Sequence, residues 1–225
     1  MNLNYRIMVK TFGNTADFTA FEKMGENIWQ VAWAKTMQKE KVRDADGNDT
    51  GEEKESTLCN YMLERYNYKP SMDLVLSDIL RSGEQASMEE IKAICEGFEV
   101  EPLEYMRKAL LEYIEMYDAS SSVNSFTLNG ASVWLDKATR VGLMNSTTIA
   151  KSMGSETTTL WLGEAKLEVE CDKAIQLLSA LEMYALECFN VTAAHKKAVS
   201  ALESIEDVLA YDFTSGYPGK LEMTV

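Results

Sequence analysis

A cysteine and the chain's one histidine stand seven residues apart near the C-terminus, and these residue types can form a nucleophile–base pair. The stretch is ECFNVTAAHKKAV, in which Cys188 precedes His195. A working pair needs contact between thiol and imidazole, and a third group that orients the ring. Thr192, after Asn190 and Val191, is typical of a helix start, which predicts that Cys188 and His195 lie on two different helices. We therefore interpret both as structural and predict no catalytic residue.

The polar stretch RDADGNDTGEEKE at 43–55 begins like a calcium-binding loop. An EF-hand loop needs glycine at its sixth position and glutamate at its twelfth. Counted from Asp44, glycine falls at position four and Glu55 at position twelve, so the sharp turn would be misplaced. We interpret the stretch as an exposed, solvated hairpin loop without a metal.

The cysteines do not form a recognisable metal or redox motif. Cys59, Cys95, Cys171 and Cys188 have neither CxxC spacing nor histidines at zinc-ligand distances. Four thiols could form two disulfides, but a chain of 225 residues can bury a core of its own without them. We expect buried free thiols in a reducing compartment, no cofactor and no bound metal.

The chain is acidic, with 36 Asp and Glu residues against 22 Lys and Arg residues and a formal net charge of −14. A nucleic-acid-binding face needs clustered basic side chains, which neither half of the sequence supplies. The carboxylates are dispersed among apolar residues, which favours solvated helix faces over an acidic mimic of DNA. The N-terminus has no apolar signal core, and no apolar run approaches the ~18 residues of a membrane span. We therefore expect no nucleic-acid or membrane partner, and synthesis in a cytoplasm.

Residues 1–120 are predicted to form an N-terminal α+β region, in which a strand-containing part precedes helices. Residues 3–10 alternate in polarity as a half-buried strand requires. Residues 28–39 fit either a strand or one face of a helix, and the polar loop 43–55 that follows favours a strand. Three helices are then predicted over 71–83, 87–97 and 101–118. Their signals are Ser71 as a cap, Ser87 with Glu90 at capping-box spacing, and Pro102 in a first turn.

The serine run at 120–122 predicts a linker between a domain 1–120 and a second domain 121–225, which combines hairpins and helices. In the second domain a hairpin turns at Asn129–Gly130, and a helix runs from the cap Asp136 to Gly154. A second hairpin over 157–170 precedes a long helix capped by Asp172. The predicted fold class is α+β, mainly helical with short β-hairpins.

Four segments of residues 123–223 follow one another in a recognisable order: VNSFTLNGASVWLDKATRVGLMNS, ETTTLWLG, AIQLLSALEMYALECFNVTAAHKKAV and IEDVLAYDFTSGYPGKLEM. Their distinctive features are Phe126 and Gly130, Asp136 and Arg140, Trp161, the helices bearing Tyr184 and His195, and the turn Gly216–Tyr217–Pro218. In this order they resemble the tailed-phage domain of unknown function 4376, in the form found in gut-bacterial phages and prophages. The resemblance implies a tailed-phage context, with genes near those for tail fibres, and implies no known reaction.

This context predicts a phage structural protein, a tail- or fibre-associated virion component that acts through protein–protein contacts. Its partners would be fibre, baseplate or neck proteins, and copies of itself. Such a protein is made in the host cytoplasm and ends in the tail or neck region of the virion. The alternative is a non-virion chaperone for tail-fibre assembly. A wall hydrolase, the remote alternative, needs paired carboxylates that no motif places.

The predicted interface residues are apolar and aromatic side chains of the first domain. They are Leu3, Tyr5, Ile7, Val9, Trp29, Trp33, Tyr66 and Tyr68. Tyr61, Trp134 and Trp161 are further aromatic candidates, and core packing is the alternative role for all the aromatic residues. The strand 3–10 is a candidate edge that pairs with a partner strand, and its alternative is an interior strand.

Overall fold

The computed structural model describes residues 6–224 and places 43% of the chain in helices and 31% in strands. The fold is α+β, with sheets of four, three and two strands. The prediction of a mainly helical fold is wrong. The prediction underestimated the strand content, because two strands are 16 and 18 residues long. Their polar halves lack the alternation of apolar and polar residues that indicates a strand in a sequence.

Groups of strands alternate with groups of helices along the chain. The strands are β1 (Arg6–Asn14), β2 (Phe21–Gly25), β3 (Ile28–Arg43), β4 (Asp49–Tyr66), β5 (Phe126–Leu128), β6 (Ala131–Val133), β7 (Thr157–Leu162), β8 (Ala165–Glu170) and β9 (Leu221–Met223). The helices are α1 (Met72–Arg81), α2 (Met88–Gly97), α3 (Pro102–Asp118), α4 (Lys137–Ser152), α5 (Cys171–Ser200) and α6 (Ile205–Ala210). Within the described part of the chain, no helix combines the length and the apolar content needed to cross a membrane.

The chain divides into two compact units. Unit 1 contains the described residues up to Glu112 together with Leu202–Tyr211, and unit 2 contains Tyr113–Ala201 together with the described residues from Asp212 onward. The division into domains 1–120 and 121–225 stays a prediction about independent folding.

Unit 1 is built on the four-stranded antiparallel sheet, in the order β1-β4-β3-β2. The predicted caps begin its helices, because Ser71 Oγ accepts from the N–H of Leu74 and Ser87 forms a capping box with Glu90. The Glu90 carboxylate also accepts from the N–H groups of Ala34 and Lys35, both at 3.0 Å, where β3 breaks register. One carboxylate thus begins α2 and ties it to the sheet.

The far half of the β3–β4 hairpin is a charged two-stranded ribbon. The exposed loop is shorter than the predicted range 43–55, because β4 already begins at Asp49. Opposite charges face each other across the ribbon, as in Lys41 with Asp49 at 2.5 Å, and such pairs support a strand that buries little. In the turn, Asp44 Oδ1 accepts from the N–H groups of Asp46 and Asn48, so this carboxylate closes a turn. Among residues 6–224 there is no group of three or more His, Cys, Asp or Glu residues that could hold a metal ion.

Unit 2 packs two small sheets against helices around one core. The β5–β6 hairpin turns at Asn129–Gly130 as predicted, with φ of 51° and 84°, and β9 adds to β5 in parallel. The most deeply buried core side chains are Phe126, Leu160, Ala174, Leu181 and Cys188. The hairpin predicted over 157–170 is present as β7–β8, which turns at Gly163 and places Leu160 opposite Leu167.

Helix α5 is one continuous helix of 30 residues, so the prediction of two helices over this stretch is wrong. Thr192 is buried inside the helix, where its hydroxyl donates to Asp118 Oδ1 at 2.8 Å instead of capping a helix start. The predicted cap Asp172 is also wrong, since Glu170 is the N-cap residue and Asp172 lies in the first turn. In the sequence, Thr192 had the pattern of a residue that caps a helix start, but in the structure its hydroxyl bonds to a residue outside the helix.

Candidate binding cleft in unit 2

Cys188 and His195 lie on one helix, α5, and do not form a catalytic pair. Seven residues of α-helix separate them by about 10 Å along the axis. Cys188 is 1% exposed, and burial raises the pKa of its thiol, which opposes the thiolate that a nucleophile needs. His195 Nε2 lies 2.9 Å from the carbonyl oxygen of Ser215, and its ring lies beside that of Tyr217. These contacts support a structural role for both residues.

Three of the predicted interface residues are buried in unit 1. Trp33 and Tyr66 are almost fully buried, and Trp29 is also part of the core. The Trp33 indole N–H lies 3.1 Å from the carbonyl oxygen of Glu84, and the Tyr66 hydroxyl donates to Asp78 Oδ2 at 3.0 Å. They therefore have the core-packing role that was their alternative, and in this structure they offer no surface to a partner.

Of the other predicted interface residues, Val9 and Tyr68 are partly or largely exposed in unit 1. Val9 is exposed on β1, which is an edge strand of the sheet, as the strand-pairing hypothesis requires. Ile7 pairs through its backbone with Arg65 of β4, and Tyr68 is half-buried beside Tyr66. Leu3 and Tyr5 lie outside the described residues.

Unit 2 contains a cleft of about 550 Å³ that residues of three segments enclose. One wall is the end of α3 and the loop after it, the second is the segment from Trp134 into α4, and the third is a face of α5. The lining residues are Asp118, Ala119, Asn124, Trp134, Leu135, Asp136, Lys137, Arg140, Glu182, Ala185, Leu186 and Phe189. The volume lies within the range of ligand-binding pockets, about 300–1,000 Å³.

An ion pair joins two walls of the cleft. Arg140 of α4 donates from Nε to Glu182 Oε1 of α5 at 3.0 Å, and from Nη1 to the carbonyl oxygen of Leu135 at 2.8 Å. The Arg140 side chain is 8% exposed, so the pair lies at the base of the wall. The guanidinium therefore fixes the segment that carries Trp134, and its charge is already balanced.

The carboxylate of Asp118 is oriented by a chain of two hydroxyl groups. Thr192 has one hydroxyl proton, and its Oγ1 lies 2.8 Å from Asp118 Oδ1, which can only accept. Tyr217, whose hydroxyl oxygen lies 2.9 Å from Thr192 Oγ1, must then donate to Thr192. The carboxylate raises the pKa of the Tyr217 hydroxyl, although burial is the larger cause. Asp118 is thus a negative charge held in one orientation at the cleft.

Two more polar groups of the wall face the cleft region. Asp136 is the N-cap of α4, as predicted, and accepts from the N–H and the hydroxyl of Thr139, which lowers the pKa of its carboxyl. Asn124 adopts φ of 62°, and its buried Oδ1 accepts no hydrogen bond from any residue between 6 and 224. A buried amide oxygen without a donor costs free energy, so Asn124 is a strained position in the wall of the cleft.

The rim of the cleft exposes apolar side chains. Trp134, Leu186 and Phe189 are 39%, 49% and 58% exposed, which is unusual for large apolar groups grouped around one concavity. Phe189 and Asp118 also line a neighbouring cleft of about 450 Å³, together with Thr192 and Lys196. The two clefts therefore meet at Phe189 and Asp118.

Of the rim residues, Trp134 is an aromatic candidate in the sequence, whereas Leu186 and Phe189 are not, because apolar residues on a predicted helix are interpreted as core. With α5 continuous, Glu182, Leu186 and Phe189 recur at spacings of four and three residues and form one stripe beside the buried face. An apolar stripe that flanks the core stripe of a long helix is the signal that could have found them.

No family model matches the chain, and it has no significant match among curated proteins or solved structures.

Proposed function

We propose that this protein acts by binding other proteins, as a tail- or fibre-associated component of a phage particle. The observation that carries the proposal is the cleft of unit 2, with Trp134, Leu186 and Phe189 exposed at its rim. Exposed aromatic and aliphatic side chains around a desolvated concavity are what the centres of protein interfaces use.

The chemical groups at the cleft serve structural roles, which favours binding over a reaction. Arg140 is paired with Glu182, Asp136 caps α4, and the nearby thiol of Cys188 is buried with a raised pKa. A catalytic acid, base or nucleophile needs a group that is both accessible and poised to titrate or attack. The exposed side chains of the cleft are instead apolar.

The phage context of the proposal rests on the resemblance of residues 123–223 to the phage domain of unknown function 4376. Two residues that carry this resemblance, Asp136 and Arg140, line the cleft and shape its wall. The proposal therefore places partner binding in the part of the chain that bears the resemblance.

The test is quantitative mass spectrometry of purified particles of a phage that encodes this chain, compared with the infected-cell lysate. The proposal predicts a fixed number of copies in each particle after extensive purification. Abundance in the lysate with absence from particles would contradict a virion component and favour the alternative, a chaperone for tail-fibre assembly.

A further inference from the structure

We infer that the cleft of unit 2 binds a segment of a partner protein in which an apolar side chain stands next to a lysine or arginine. This inference rests on the proposed function and deepens it, because it names the chemistry of the partner. The apolar side chain would lie among Trp134, Leu186 and Phe189, and the cation would meet the carboxylate of Asp118.

The balance of charge at the cleft favours a cation. The lining residues include three carboxylates, Asp118, Asp136 and Glu182, and two cations, Lys137 and Arg140. Since Arg140 and Glu182 neutralise each other, two carboxylates remain against one lysine. In the neighbouring cleft Lys196 is paired with Glu115, so that cleft supplies no net positive charge. The formal net charge of the chain is −14, so its electrostatic potential also attracts positively charged segments.

The hydrogen-bonding groups point to the same ligand chemistry. Asp118 is held by the hydroxyl of Thr192 through one of its oxygens, so the carboxylate is oriented before a ligand arrives. A lysine ammonium or an arginine guanidinium offers several N–H donors and no acceptor, which suits the oriented carboxylate of Asp118 and a wall that also carries Asp136.

An acidic segment fits the cleft less well. The buried guanidinium of Arg140 would be its natural partner, but it already donates to Glu182 and to the Leu135 carbonyl. With Arg140 paired to Glu182, a carboxylate in the cleft would face Asp118 and Asp136 against the single lysine Lys137. Like charges at a partly desolvated site oppose binding, so the geometry discriminates against acidic partners.

The apolar part of the site supplies the remaining contact area. Phe189 lines both clefts. A partner side chain inserted into the larger cleft would contact the Phe189 ring. The backbone of the partner segment could then continue over the smaller cleft. Such anchoring by one apolar side chain, with an adjacent charge setting specificity, is a common way of recognising an extended segment.

Fluorine NMR of the full chain labelled with 5-fluorotryptophan tests the inference. The probes are three peptides with blocked ends: acetyl-Gly-Leu-Lys-Phe-Gly-amide, and the same peptide with Gln or Glu in place of Lys. We expect the Lys peptide to shift the Trp134 resonance, assigned with Trp134→Phe, and to leave that of Trp161 in place. The Lys peptide should bind about threefold or more tightly than the Gln peptide at low salt, and the Glu peptide most weakly.

Two variants separate the two halves of the site. Asp118→Asn keeps an acceptor for Thr192 but removes the charge, and should lower the preference for Lys over Gln to about one without abolishing binding. Phe189→Ser should weaken the binding of all three peptides, because it removes an apolar contact. The protein should still fold, because the Phe189 ring is mostly exposed and its loss leaves no cavity in the core. Glu168→Gln on β8 is the control for lost charge, and it should leave the preference unchanged.

A Glu peptide that binds as tightly as the Lys peptide would overturn the inference, and so would a Trp134 resonance that no peptide moves. Neither outcome depends on particles, so the result is distinguishable from failure of the proposed function. If particles contain the protein and the peptides fail, the proposed function stands and the named ligand chemistry falls.

Discussion

Arg140 and Glu182 form an ion pair between α4 and α5 at the cleft, with 3.0 Å between Nε and Oε1. The same guanidinium donates to the carbonyl oxygen of Leu135, a buried residue, at 2.8 Å. Trp134 directly precedes Leu135, so the position of this aromatic side chain depends on Arg140. The Arg140–Glu182 ion pair therefore fixes the shape of this wall of the cleft.

Replacing Arg140 should therefore lower the stability of the protein and change the cleft. We expect Arg140→Met to reduce the free energy of unfolding by about 2–3 kcal/mol, because Glu182 loses its partner and the Leu135 carbonyl loses its donor. Urea denaturation followed by circular dichroism measures this. The control Lys166→Met removes an exposed cation from Glu168 and should change little. Equal stability of the two variants would contradict the role given to Arg140.

The four thiols should be unreactive in the folded protein. All four cysteines are buried, and burial, reinforced by the carboxylates of Glu101 and Glu96, raises the pKa of Cys95 to about 12. Because the thiolate is the reactive form, labelling by a disulfide reagent at pH 8 should be at least about a hundredfold slower in buffer than in urea. A single thiol that reacts at the unfolded rate would show an accessible nucleophile and reopen the question of catalysis at Cys188.

The cap of α4 should make stability depend on pH in a predictable direction. The pKa of Asp136 is lowered by its bonds from Thr139, below the ordinary value of 3.8. Its ionised form therefore stabilises the folded state, fully above about pH 4, and this contribution is lost as pH falls through the lowered pKa. Asp136→Asn keeps a capping acceptor, so its urea midpoint should lie below that of the native chain at pH 7 and approach it at pH 3. A gap that persists unchanged to pH 3 would contradict this account.

The charged ribbon of β3 and β4 should be held together by its opposite charges. The native chain should be cut first by an aspartate-directed protease in the turn Asp44–Asn48, where the backbone leaves the sheet. Lys41→Glu places a like charge beside Asp49 and opposite Glu53, and should let a glutamate-directed protease cut at Glu53 several times faster. Equal cleavage rates for variant and native chain would show that the ion pairs do not stabilise the ribbon.

Local signals predicted several elements because their stabilising partners lie close in sequence. The capping box of Ser87 and Glu90 and the turn at Asn129–Gly130 are specified within four residues, and both are present as predicted. The mainly helical fold class failed at the strand Asp49–Tyr66, whose polar half is stabilised by cross-strand charges that do not alternate with apolar residues. These cross-strand charge pairs can be identified only when the partner strand and its register are known.

The cleft could be predicted only in part, because its residues come from distant places in the sequence. The sequence singled out Trp134 as an aromatic candidate, but its companion Phe189 lies 55 positions later, on a helix predicted to end there. Thr192 had the pattern of a helix cap, whereas Asp118 and Tyr217 satisfy its hydroxyl inside the helix. Tertiary hydrogen bonds thus replaced a local rule at Thr192, and the exposure of Leu186 and Phe189 depends on packing that the sequence does not specify.

Incorporation into particles shows whether the cleft of unit 2 binds the partner. Phe189→Ser and Ile149→Ser each remove a side chain that is 58% exposed in unit 2, and only Phe189 lines the cleft. Both variants should fold like the native chain by circular dichroism. Quantitative mass spectrometry of purified particles should then show incorporation of Phe189→Ser reduced about tenfold or more, as for a central interface residue, and Ile149→Ser at the native level. Native incorporation of Phe189→Ser, or equal loss of both variants, would contradict the claim.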